Sequence, residues 1–147
     1  MLNVEAQALA FALEAGAADA SDARDWAANQ IASAPSASDE LLDLATEQRL
    51  PDAVSLLHAL GRDAPRQPVG KLVYRHLLSA VSTGRITHER AALTIYRLTL
   101  EQYAPSEEAE KSSWYFVDAF FLAREGTYGT ESQVVAEVEL HLKRHAA

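Results

Sequence analysis

The chain has no cysteine. That excludes a disulfide scaffold, a thiol nucleophile and any cysteine-ligated zinc site. β-Branched residues are few, and there are only six glycines and five prolines in 147 residues. No alternating run reads as a strand. Alanine is abundant instead, which favours helix throughout. A glycine-rich phosphate loop, a nucleophile elbow and a His-Glu-x-x-His pair are all missing. No apolar run is long enough to span a membrane. The opening Met1–Glu5 lacks the positive segment of a signal peptide, so the cytoplasm is the expected location. A chain of this length is expected to form one domain, 1–147, with a core of its own.

What the sequence does contain is helix punctuation. Asn3 is a candidate N-cap for a first helix ending at Gly16, and Asp19 or Ser21 caps a second. Ser36 or Ser38 starts a short third helix. Pro51 fits the first turn of a fourth, which ends at Gly61. A fifth begins near Pro68 and ends at Gly84. Thr87 caps a sixth, and Pro105 stops it. Ser106 caps a seventh that reaches Gly126. Thr130 with Gln133 reads as the capping box of the last. The expected fold is therefore all-α: a single compact domain of about eight helices in antiparallel pairs around a central apolar helix. That central helix is expected at Ser113–Ala123, the densest aromatic run, in which Trp114, Val117 and Phe121 recur at helical spacing.

The formal net charge is −8, unevenly spread. Residues 1–60 carry ten acids and two bases, residues 61–100 two acids and seven bases, and residues 101–147 nine acids and four bases. Internal pairing is the simplest account of the basic middle. Asp118 sits inside the aromatic run, and a carboxylate facing a core must be paired. Arg75, His76, Arg90 and Arg97 are its expected partners. As a catalytic acid it would need a second converging group, with His76 the nearest suggestion. His141 and His145 share a helix face, but zinc needs three or four ligands and no third is indicated. No cofactor or metal is expected.

The clearest charge pattern is acidic. Asp39, Asp43 and Glu47 repeat every four residues with Glu40 alongside, opposite Leu41, Leu44 and Ala45. Asp22 and Asp25 just upstream extend the face. Such a surface attracts a basic partner and repels nucleic acid.

Three clusters carry a resemblance: Asp25-Trp26-Ala27 with Ile31, Leu50-Pro51-Asp52 with Leu56, Leu57 and Leu60, and Gly84-Arg85-Ile86 with Ala91, Ala92 and Tyr96. With them the chain resembles the small acidic helical immunity proteins of bacterial toxin–immunity systems of the contact-dependent growth inhibition kind. The resemblance implies a cytoplasmic, non-enzymatic protein, expected to be monomeric. It would bind one cognate toxin domain, often a nuclease, and cover its basic active-site cleft, with no nucleic acid or membrane as partner. The face expected to bind the toxin is Asp22, Asp25, Asp39, Glu40, Asp43 and Glu47. The competing class is a helical scaffold or adaptor that holds a peptide or regulatory protein in a groove.

Overall fold

The computed structural model describes residues 1–146, and those residues are all-helical. The segments are α1 (Leu2–Ala15), α2 (Ala20–Ser33), α3 (Asp39–Leu44), α4 (Leu50–Leu60), α5 (Arg66–Ser82), α6 (His88–Leu100), α7 (Glu107–Ser113), α8 (Tyr115–Arg124) and α9 (Glu131–His145). Most boundaries are set by side chains within one turn. Asp19 and Asp22 close a capping box at the start of α2, and Thr130 and Gln133 close another at α9. Ser38, Thr87 and Ser106 accept from the backbone N–H three residues on. Gly16 ends α1 at φ 81°, the left-handed conformation that costs glycine least. Two boundaries shift from expectation. Asn3 lies inside α1, and α5 begins at Arg66, ahead of Pro68, which is tolerated in its first turn.

The helix at the centre is α1, not Ser113–Ala123. Ten of its residues are buried, from Val4 to Ala15, and it packs against α2, α4, α5 and α6. Its alanines have little side chain to hold neighbours away, so other helices close on it from several sides. The close approach of α4 is visible at Gly61, where an added Cβ would lie 2.6 Å from the Gln7 Cβ. Gly70 on α5 is tighter still, because a Cβ there would meet the Tyr103 carbonyl oxygen at 1.8 Å.

The aromatic run behaves differently from its sequence expectation. It is split at Trp114 into α7 and α8, so one expected helix becomes two. The Ser112 hydroxyl donates to the Glu108 carbonyl at 2.9 Å and the Ser113 hydroxyl to the Glu110 carbonyl at 2.8 Å. Hydroxyls that bond back in this way compete with the helical ladder and bend it. Phe116, Ala119 and Phe120 turn inward, while Trp114 is 44% exposed and Phe121 63%. Asp118 shares the outward side, is exposed and has no ion-pair partner among the described residues. Its expected burial and pairing are thus corrected: the helix is rotated so that the other stripe meets the core.

Five bases of the middle segment, Arg66, Arg75, Arg85, Arg90 and Arg97, bond to groups within the molecule. Arg90 donates to the Glu14 and Ala15 carbonyls at the C-terminus of α1, at 3.0 and 3.3 Å, where a cation complements the helix dipole. Arg97 bonds Glu14 and Glu101 at 2.7 and 2.6 Å. Arg75 donates to the Ala146 carbonyl. Among the described residues, no helix is long and apolar enough to cross a membrane.

Candidate partner-binding face and the cavity at its edge

The six acids of the expected face sit on α2, α3 and the loop after α3, and α2 packs on α3. Asp25, Asp39, Glu40 and Asp43 are exposed and make no ion pair among the described residues. These four are free to attract an external cation. The other two are engaged. Asp22 accepts the Asp19 N–H at 2.8 Å and lies 3.1 Å from Arg85 Nη2. Glu47 falls beyond the end of α3, so the four-residue stripe stops at Asp43. There the Glu47 carboxylate accepts the Arg49 N–H at 3.1 Å and its carbonyl accepts Arg24 Nη1 at 3.0 Å. Those bonds hold the loop and direct Glu47 to its own backbone.

At the edge of this face lies a cavity of about 390 Å³ between α1, α2, α5 and the loop ahead of α6. Glu5, Asp22, Trp26, Leu72, His76 and Arg85 are on its walls. Arg85 Nη2 bridges Asp19 at 3.0 Å and Asp22 at 3.1 Å. The Asp22 backbone N–H, together with the Arg85 charge, holds the Asp19 carboxyl below the usual range. Burial pushes the His76 imidazole down, with Asp22 acting against it. His76 is therefore neutral near pH 7, and its expected role as a partner of Asp118 is not realised. Glu5 has no ion-pair partner among the described residues. The Trp26 Nε1 is shut off from solvent and makes no hydrogen bond, so the ring offers this space carbon and no donor. In the sequence this site is hinted at only by Glu5 interrupting the apolar α1 and by His76 standing on an apolar stripe.

Two polar clusters were not legible as clusters. In the first, His58 bridges Gln7 at 3.1 Å and Glu14 at 2.9 Å, with Phe11 edge-on to its ring. Gln7, Phe11 and Glu14 lie three and four residues apart, which is the one signal that could have joined them. In the second, Tyr74 Oη lies 2.9 Å from His141 Nε2 in the core. Burial raises the Tyr74 phenol well above its ordinary value and lowers His141 to about 4, helped by the charges of His145 and Arg144. The other ring nitrogen, Nδ1, faces Ser112 Oγ at 3.4 Å. The Ser112 hydroxyl itself donates to the Glu108 carbonyl at 2.9 Å. The His141 and His145 rings lie 4.7 Å apart. No group of three or more candidate ligands for a metal occurs among the described residues.

A separate apolar strip faces outward from α6 and α8. Tyr96 meets Trp114 edge-on at 5.4 Å, and Arg124 pairs with Glu89, so these helices run antiparallel. Leu93 and Leu100 on α6 and Trp114 and Phe121 from the other run are all exposed.

Comparison with protein-family models, with curated proteins and with solved structures returns no match.

Proposed function

We propose that this chain is a protein-binding inhibitor of the immunity type, which neutralises a basic toxin domain by covering its active-site cleft. The observation that carries the reading is the set of four unpaired carboxylates, Asp25, Asp39, Glu40 and Asp43, on the packed pair α2 and α3. Opposed charge raises association rate and selectivity more than raw affinity. A nuclease fits this reading, because its cleft must attract phosphates and so carries the sign that these carboxylates seek. The reading includes action in the cytoplasm as a monomer, without catalysis and without a cofactor. Its test is co-expression with a toxic domain, sought among the genes that neighbour this chain's own. Growth should be restored by the parent chain and not by Asp25→Lys/Asp39→Lys/Asp43→Lys. Failure of the parent chain to protect, with both proteins expressed, would overturn the reading.

A second reading, an adaptor for a regulatory protein or peptide, is favoured by the outward strip of Leu93, Leu100, Trp114 and Phe121. Exposed apolar residues in a contiguous patch mark interaction sites. Here Trp114→Ala/Phe121→Ala would abolish binding while the acidic triple variant bound as the parent does.

A further inference from the structure

We propose that the cavity bounded by Glu5, Asp22, Trp26, His76 and Arg85 receives a guanidinium side chain from the basic partner. The inference rests on the reading that the partner is basic, and it names the contact that would anchor it. Four observations converge. First, the cavity, about 390 Å³, is roomy for one long side chain. Second, its walls carry two carboxylates, Glu5 and Asp22, against one cation, Arg85, and Arg85 is also bonded to Asp19 just outside the lining, while burial lowers the His76 imidazole.

Third, Glu5 is half-buried on α1 with no ion pair among the described residues. A carboxylate away from full hydration interacts more strongly with an incoming cation than one in open water. Fourth, Trp26 lines the cavity, and an indole is the best aromatic surface for a cation, above all the planar guanidinium. Leu9 and Leu72 are there to cover the aliphatic stem. Arg85 stands on the wall with its Nη2 engaged by Asp19 and Asp22 at 3.0 and 3.1 Å. Asp22 on the cavity wall and the exposed Asp25 are three residues apart on the same helix.

The experiment needs no cognate partner. The chain has two tryptophans, Trp26 and Trp114, so Trp114→Phe leaves Trp26 as the sole indole. Its fluorescence and indole N–H resonance are followed during titration with N-acetyl-arginine amide at low ionic strength. N-acetyl-citrulline amide, of matching shape without the charge, is the control. A saturable change with the arginine derivative is expected, weaker by about tenfold or more with citrulline and weakened by a similar factor in Glu5→Gln. A response that never saturates, or is equal for the two derivatives, or is unchanged in Glu5→Gln would overturn the inference. Circular dichroism on each variant confirms that it is folded. Because the growth assay does not use these derivatives, the two results separate. Protection without arginine binding removes the cavity alone, and arginine binding without protection removes the inhibitor reading alone.

Discussion

Arg97 Nη1 lies 2.7 Å from Glu14 Oε2, joining α6 to α1 across 83 residues of sequence. His58 holds the other Glu14 oxygen at 2.9 Å, so one carboxylate ties α4 and α6 to the central helix. Burial alone would raise the Glu14 pKa, but the hydrogen bonds and charges of Arg97 and His58 outweigh it and leave the carboxyl below its usual value.

Acid should loosen the fold in two overlapping stages. His141 has a folded pKa of about 4 against an ordinary 6.5. The unfolded chain therefore takes up a proton near pH 6.5 that the folded chain refuses until about pH 4. Its contribution is present above pH 6.5 and drains away between those values. His76 and His145 are lowered as well and act in the same direction. Glu14, depressed from 4.5, adds a loss that begins near that value and continues below it. Melting temperature measured against pH should fall steadily below 6.5, and His141→Gln should flatten the upper part of the fall. A parent protein that melts equally at pH 6.5 and 4.5 would contradict this.

Gly70→Ala should be strongly destabilising. The new methyl would stand 1.8 Å from the Tyr103 carbonyl oxygen, which is backbone and cannot swing aside. Overpacking of this kind costs about 1–3 kcal/mol or more. Gly84→Ala is the comparison: nothing lies within 4 Å of its added Cβ, and the cost is only that of holding alanine at φ 76°, roughly 1–2 kcal/mol. Urea unfolding of the two variants would show whether Gly70 is the worse loss.

Asp118→Ala should change stability by no more than about 0.5 kcal/mol, as for other exposed positions. Thermal melts beside the parent protein decide it. A large drop would restore the buried, paired aspartate that the sequence suggested.

The buried hydroxyl pair Thr99–Ser113, 2.6 Å apart, offers a cycle. Ser113→Ala leaves the Thr99 hydroxyl without its partner and should cost about 1–3 kcal/mol. Adding Thr99→Val removes the stranded group, so the double variant should recover part of that loss. If the two losses simply add, the pair is not coupled.

Reversing Asp25, Asp39 and Asp43 to lysine should leave the helix content unchanged, since all three are exposed and make no ion pair among the described residues. Association with a basic toxin domain should slow most at low salt, because attraction between surface charges fades beyond about 8–10 Å near physiological ionic strength. Stopped-flow rates at two salt concentrations test this. Equal rates for parent and variant at both would place the interface elsewhere.

Much of the helix order was readable because caps are local. Asp19 and Asp22, Thr87, Ser106, Thr130 and Gln133 act on backbone groups within one turn, and Gly16 and Gly126 need only a positive φ. The candidate face was readable in part. Asp39 and Asp43 share one helix, but Glu47 lies past its end, where a loop N–H claims it. The cavity was not readable, because its walls come from α1, α2, α5 and a loop that only folding brings together.

The sequence by itself determined the all-helical fold, the acidic balance and most places where each helix starts and stops. Those follow from propensity, charge and hydrogen bonds over a few residues. Only the tertiary structure decided which apolar stripe is covered. Helical periodicity defines a face but not the neighbour that arrives on it. The alanine-rich α1 gained neighbours on several sides because small side chains let helices close in. The aromatic stripe of Trp114 and Phe121, with more apolar area to hide, was left facing outward because Phe116 and Phe120 on the opposite stripe had taken the core.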